Sequence, residues 1–128
     1  MSDLSLPAEL LELLCRQVDP LAQVEALLLL HRTPDRAWRA AEAAAELRVD
    51  ARTTGRHLAA LAAGRLLRSE EEPPAYRYAP ATPALHAAVE QLRVVYDTRP
   101  VSLVRLLYEG PSQAVRSFAD AFRIRKPE

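Results

Sequence analysis

Basic side chains cluster in the middle of the chain, where their positive charge would attract phosphate. Residues 48–68 hold five arginines and one acidic residue, a local charge of +4. An arginine can grip a phosphate or a guanine edge with two parallel hydrogen bonds, and a threonine can contact either group. The candidate contact residues in this stretch are Arg52, Thr53, Arg56 and His57.

The rest of the chain balances this charge. The 128 residues include 17 basic and 17 acidic side chains, so the formal net charge is zero, and residues 1–31 alone carry −4. A neutral total argues against a protein that coats nucleic acid through general basicity, but it leaves room for a local basic face. Glu70, Glu71 and Glu72 follow the basic stretch and would repel phosphate.

Other chemistries find little support in the sequence. Cys15 is the only cysteine, so no disulfide can form within the chain. His31, His57 and His86 fall on different predicted elements without metal-ligand spacing, so no metal site is predicted. The sequence has no phosphate-binding glycine loop and no nucleophile paired with a base. We therefore predict no cofactor and no enzymatic activity.

The composition and the first ten residues indicate in which cellular compartment the protein is expected. Hydrophobic residues make up 49% of the chain and charged residues 27%, which is typical of a globular protein. The first ten residues lack the basic and apolar regions of a secretory signal, and the longest apolar run, Ala26–Leu30, is too short to cross a bilayer. We expect a cytoplasmic protein without a membrane partner, which also fits the single cysteine.

Hydrophobic spacing and helix breakers predict a mostly α protein with one small β-hairpin. Asp19 and Asp50 are suited to cap helices, and Gly64 is expected to end a helix in the left-handed conformation. Helices are predicted from Pro7 to about Val18 and over Pro20–His31, Ala37–Leu47, Ala51–Ala63, Pro83–Asp97 and Gln113–Phe122.

Two short segments carry further predictions. The runs LLRSEE and AYRYAP on either side of Pro73-Pro74 predict the hairpin. The run VSLVRLLY at residues 101–108 fits a helix or a strand, and we favour the helix. Trp38, Tyr76 and Tyr78 are expected to point into the core. Gly55 inside a helix suggests a close approach by DNA or by a neighbouring helix.

The central order of two helices, a tight turn, and then a hairpin is typical of a helix-turn-helix followed by a wing. The stretches Trp38–Leu47, Asp50–Leu61 and Gly64–Arg68 resemble the winged helix-turn-helix domains of MarR-like and ArsR-like bacterial transcriptional regulators. The run RHLAALAAGRLL at Arg56–Leu67 is similar to the family's "RHLxxLxxxGLL" pattern. The resemblance covers Val24–Pro80, less than half of the chain.

This resemblance implies that the helix over Ala51–Ala63 is a recognition helix that enters the major groove of double-stranded DNA. Leu58 and Leu61 would face the core, with Thr54 nearby. The residues Arg52, Thr53, Arg56 and His57 would then contact the groove. Phosphate contacts are expected from Arg39, Arg48, Arg65 and Arg68. The resemblance also implies a homodimer, which would place two recognition helices about one DNA turn apart.

The chain is therefore expected to have three parts. Residues 1–19 form an N-terminal helix, residues 20–81 a winged helix-turn-helix domain, and residues 82–128 a helical extension that serves dimerisation. Because winged helices also act as interaction modules, the alternative function is binding to another protein without direct DNA readout. The acidic residues 70–72 and the neutral total charge favour that alternative.

Overall fold

Side-chain caps fix where three of the helices begin. The carboxylates of Asp19 and Asp50 and the hydroxyl of Thr82 each accept a hydrogen bond from the backbone amide three residues further along, at 3.3, 2.7 and 3.1 Å. Proline follows Asp19 and Thr82 at the first helical position, where its missing N–H costs nothing. The cap positions predicted at Asp19 and Asp50 are thus confirmed.

A computed structural model describes residues 6–16 and 19–109. This part of the chain is mostly helical with one small antiparallel sheet, as predicted. Its elements are α1 (Ala8–Cys15), α2 (Pro20–Arg32), β1 (Trp38–Arg39), α3 (Ala40–Leu47), α4 (Ala51–Ala63), β2 (Leu67–Glu70), β3 (Ala75–Tyr78), α5 (Pro83–Thr98) and α6 (Pro100–Glu109). The predicted helix over Gln113–Phe122 and the predicted end of the first helix at Val18 lie outside the described residues.

The sheet has three strands in the order β1-β3-β2, with every neighbouring pair antiparallel. The hairpin of β2 and β3 is confirmed, with Leu67 opposite Tyr78 and Glu70 opposite Ala75. The third strand, β1, was not predicted. It pairs Trp38 with Tyr76, so the residues before α3 are tied directly to the hairpin.

The predicted start of α3 at Ala37 is wrong, because the helix begins at Ala40. Trp38 is 4% exposed and pairs with β3, so burial of the indole and sheet hydrogen bonds outweigh local helix propensity. The backbone N–H of Arg39 donates to Glu42 Oε1 at 3.0 Å, which caps the helix just after the strand.

The prediction of a left-handed backbone at Gly64 is also wrong. Gly64 has a φ of −82°, and the next residue, Arg65, has a φ of 69°. A Cβ atom on Gly64 would lie 2.5 Å from Cδ2 of Leu13, which belongs to α1. The absence of a side chain at Gly64 therefore allows α1 to pack closely on the end of α4.

The core is built around α2, which contacts α1, α3, α4, α6 and β3. Buried apolar side chains from the N-terminal helix, the central elements and the last two helices form one cluster. Trp38, Tyr76 and Tyr78 are buried, as predicted, and residues 101–108 lie within helix α6, as favoured. Among the helices of the described residues, none combines the length and apolar content required to cross a membrane.

Candidate nucleic-acid interface

The exposed face of α4 is formed by two arginines and otherwise small side chains. Arg52 and Arg56 are exposed and lie one helical turn apart, so they project from the same side. Ala59 and Ala63 continue this face toward the end of the helix. A helix surface with so little bulk can approach a flat or grooved partner closely, with the guanidinium groups as the first points of contact.

The first turn of α4 is occupied by its own cap. Asp50 Oδ2 accepts from the backbone N–H of Thr53 at 2.7 Å and from the Thr53 hydroxyl at 2.9 Å. These two hydrogen bonds lower the pKa of the Asp50 carboxyl, which stays ionised at neutral pH. The Thr53 hydroxyl, having donated its hydrogen to Asp50, is left as an acceptor toward any partner. The Asp50 carboxylate therefore occupies the Thr53 amide at the N-terminus of α4.

His57 does not lie on the surface of α4, so this part of the sequence prediction is wrong. Its side chain is buried, with 2% of the residue exposed. Burial lowers the pKa of His57 from its usual value of 6.5, so the neutral imidazole is favoured. The reason is helical periodicity, because His57 shares the buried face with Thr54, Leu58 and Leu61, which are also confirmed as buried.

Four of the candidate arginines are available to a partner. These four are Arg48, Arg52, Arg56 and Arg65. Within the described part of the chain, none of their guanidinium groups lies within 4 Å of a carboxylate. Arg48 occupies the turn before α4 and Arg65 follows its last turn, both with positive φ. The 13 residues of α4 span about 20 Å, so the free charges line a helix and both its ends.

The other two candidate arginines are held by the hairpin. Arg39 Nη2 donates to Glu71 Oε1 at 2.6 Å, and Nη1 of the same group donates to the carbonyl of Pro73. Arg68 Nη2 lies 3.1 Å from Glu70 Oε2, and that oxygen also accepts from Arg77 Nε at 3.2 Å. The hydrogen bonds from Arg77 and Arg68 lower the pKa of the Glu70 carboxyl. A phosphate would have to displace these carboxylates.

A polar cluster that the sequence did not predict joins α2, β3 and α5. Glu90 Oε2 lies 2.6 Å from His31 Nε2 and 3.7 Å from His86 Nε2, and the Tyr78 hydroxyl lies 2.8 Å from His86 Nδ1. The His31 hydrogen bond lowers the pKa of Glu90, and burial together with Glu90 raises that of Tyr78 to about 12. Only the spacing of His86 and Glu90 on one helix could have been read from the sequence.

The described residues contain no group of three or more histidine, cysteine, aspartate or glutamate side chains arranged to hold a metal ion. Comparisons with family models, curated proteins and solved structures found no match to this chain. A functional assignment therefore has to rest on the residues themselves. Among the described surfaces, the exposed face of α4 carries Arg52 and Arg56, both without an ion pair within the described residues.

Proposed function

We propose that this protein is a transcriptional regulator that binds double-stranded DNA by inserting α4 into the major groove. The observation that carries the proposal is the pair Arg52 and Arg56, exposed on one face of α4 and without an ion pair in the described residues. The order of α3, a short turn, α4 and the β2–β3 hairpin supports a winged helix-turn-helix, and with it the resemblance to MarR-like and ArsR-like regulators.

Each side chain has a distinct part in this proposal. Arg52 and Arg56 would bind guanine edges or phosphates, and Thr53 would accept a hydrogen bond from a base amino group. Arg48 and Arg65 would bind phosphates at the two ends of α4. Because His57 is buried, it has no contact with DNA in this proposal.

Arg39 and Arg68 could join the phosphate contacts only after release from Glu71 and Glu70. Exposed ion pairs of this kind are weak, so a row of phosphates can compete for the guanidinium groups. The hairpin would then stay close to the DNA backbone while its carboxylates turn outward.

The test begins with selection of bound fragments from a random pool of DNA duplexes, followed by fluorescence anisotropy over a series of salt concentrations. Arg56→Ala is expected to weaken binding by about 1–3 kcal/mol, or about 5- to 150-fold. A loss confined to particular base pairs would assign Arg56 to base readout, and a shallower salt dependence would assign it to phosphate.

The matched control is Arg16→Ala, which removes the same charge from an exposed position after α1, outside the residues assigned to DNA contact and dimerisation. It is expected to leave the affinity for the selected duplex near that of the unmodified protein. The proposal is refuted if no duplex is retained at low salt, or if both substitutions weaken binding equally.

The proposal includes a homodimer, with the two α4 helices about 34–36 Å apart on a pseudo-palindromic site. It is supported by apolar side chains that are exposed in the region assigned to dimerisation, namely Val94, Val101 and Tyr108. Light scattering at micromolar concentration is expected to give twice the chain mass. A monomer mass both with and without the selected duplex would exclude the dimer.

The second candidate function is a protein-interaction module without DNA readout. It is favoured by one observation, that Glu70 and Glu71 already neutralise Arg68 and Arg39 on the hairpin. Under this alternative the random pool yields no retained duplex at low salt, whereas the protein recovered from its native cytoplasm carries one protein partner in stoichiometric amount. Recovery of nucleic acid alone would exclude it.

A further inference from the structure

The exposed side of α4 changes in character along the length of the helix. Arg52, Arg56, Ala59 and Ala63 are all exposed, and their spacing of four, three and four residues places them in one narrow band. The arginines occupy the first half of this band and the alanines the second half. A partner that lies along the band therefore meets two guanidinium groups at one end and a surface without bulky side chains at the other.

The alanines allow the helix to come close to the floor of a groove. An α-helix with its side chains is about 10–12 Å across, and the major groove of DNA is about 12 Å wide. A long side chain at the position of Ala59 or Ala63 would hold the helix away from the base edges, whereas a methyl group does not. The side chains of Arg52 and Arg56 can then reach the bases and not only the phosphates at the rim.

Both guanidinium groups are open to a base. In the part of the chain that the structure describes, no carboxylate lies within 4 Å of Arg52 or Arg56. The Asp50 carboxylate accepts from the backbone N–H and the hydroxyl of Thr53, and the charge of Arg52 lowers the pKa of that carboxyl without an ion pair. Each arginine therefore keeps its planar fork of N–H donors for a partner.

Guanine is the base that matches this set of side chains. Its N7 and O6 atoms are both acceptors in the major groove, and together they accept two parallel hydrogen bonds from one arginine. Adenine is bound in the corresponding way by asparagine or glutamine, and neither residue occurs in α4. The Thr53 hydroxyl donates its hydrogen to Asp50, so it does not compete for the guanine acceptors. The exposed side chains of α4 therefore favour G·C over A·T pairs.

The distance between the two arginines limits the spacing of the guanines. Four residues of α-helix rise about 6 Å. Successive base pairs are about 3.4 Å apart along the duplex. The backbone positions of Arg52 and Arg56 are thus separated by slightly less than two base-pair steps. When the helix enters the groove with its N-terminus first, the two side chains reach bases within three consecutive pairs.

We propose that the stretch of DNA contacted by one α4 helix contains two guanines within three consecutive base pairs, one bound by Arg52 and the other by Arg56. This inference rests on the proposed function, because it names the bases that α4 reads. The guanines lie on one strand or on both, since N7 and O6 face the major groove in either orientation. Arg48 and Arg65, at the ends of the helix, bind phosphates and add no base preference.

The test uses the duplex selected from the random pool. Its sequence is expected to contain two guanines with this spacing. Changing either G·C pair to A·T is expected to weaken binding of the unmodified protein about 5- to 150-fold in fluorescence anisotropy. Replacing either guanine by 7-deazaguanine removes the N7 acceptor and keeps the Watson–Crick pair. A loss of affinity with this base at both positions is expected, because it reports contact in the major groove.

Arginine variants assign each guanine to one side chain. With Arg52→Ala, the selected duplex and its A·T variant at one of the two positions are expected to bind equally well. Arg56→Ala is expected to do the same at the other position. The matched control is Arg48→Ala, which removes the same charge from the exposed turn before α4. It is expected to weaken binding to all these duplexes by the same factor and to retain the preference for both guanines.

The outcomes distinguish a failure of this inference from a failure of the proposed function. If a duplex is selected but neither change from G·C to A·T alters its affinity by more than about twofold, the inference is overturned and DNA binding stands. The same holds if Arg52→Ala and Arg56→Ala weaken binding to the G·C and A·T duplexes equally, because both arginines then bind phosphate. If no duplex is retained at low salt, the proposed function fails and the inference fails with it.

Discussion

Gly55 offers a quantitative test of how α3 and α4 pack, through its substitution by alanine. It lies inside α4, where glycine costs about 1 kcal/mol relative to alanine. A Cβ atom on Gly55 would lie 3.5 Å from the Cβ of Ala40, at the start of α3, which is ordinary van der Waals contact. The space therefore admits one methyl group in ordinary contact with α3.

Gly55→Ala is expected to raise the free energy of unfolding by about 0.5–1 kcal/mol, because alanine loses less backbone entropy on folding. The corresponding rise in Tm is about 2–4 °C for a chain of this size. Urea unfolding followed by circular dichroism measures the change in the free energy of unfolding. An unchanged slope of that free energy with urea concentration shows that the substitution altered stability and not the compactness of the unfolded chain.

Two variants serve as controls for this substitution. Ala59→Gly, at an exposed position of the same helix, is expected to cost about 1 kcal/mol because it imposes the reverse change in entropy. Gly55→Leu is expected to be less stable than Gly55→Ala, because the atoms beyond Cβ must be accommodated beside Ala40. A loss of stability in Gly55→Ala would refute the packing described here and would mean that α3 and α4 cross more closely.

The same substitution separates the two explanations of this glycine. The sequence left open whether DNA or a neighbouring helix requires the absence of a side chain. Because the missing Cβ would point toward Ala40 of α3, we expect Gly55→Ala to leave the affinity for a selected duplex unchanged within about twofold, or 0.4 kcal/mol. A tenfold loss would mean that the DNA backbone approaches Gly55.

Three further predictions address the charged residues and the core. Glu71→Gln removes the carboxylate that holds Arg39, so affinity for DNA should rise and its salt dependence steepen in an anisotropy titration; an unchanged affinity would place Arg39 away from the DNA. The lowered pKa of His57 means that protonation opposes folding, so the free energy of unfolding should decline as the pH falls from 6.5 toward the folded-state pKa. His57→Leu should reduce this dependence on pH when the free energy of unfolding is measured by urea titration at several pH values. The same pH dependence in both proteins would contradict its attribution to His57. Leu58→Ala, at a position with 0% exposure, should cost about 2–5 kcal/mol by thermal or urea unfolding, and a cost below 1 kcal/mol would show that the core beside α4 collapses to fill the space.

Features that depend on neighbouring residues were predictable from the sequence. Caps at Asp19 and Asp50 and the apolar spacing of α2, α4 and α5 are local signals, and the structure has these helices within one or two residues of the predicted bounds. Strand β1 was missed because its partner, Tyr76, lies far along the chain from Trp38, and two residues carry no periodicity. The role of Gly64 was missed for the same reason, since Leu13 approaches from a different helix.

In the candidate site, the features that follow from helical periodicity could also be read from the sequence. The sequence placed Arg52 and Arg56 on the open face of a helix, and the spacing of Thr54, Leu58 and Leu61 already contained the signal that buries His57. Helical periodicity is a property of the local chain, so reading it needs no knowledge of the fold. At His57, position on the helix outweighs the polar character of the side chain.

The helical framework, the hairpin and the local excess of positive charge can all be read from the amino-acid sequence, because each follows from residues close together in the chain. The tertiary structure alone decided which of those charges remain free. Arg39 meets Glu71 across 32 residues, and His31 meets Glu90 across 59. Such pairs form only when separate elements pack against each other, so no local pattern distinguishes an arginine held by a carboxylate from one open to a partner.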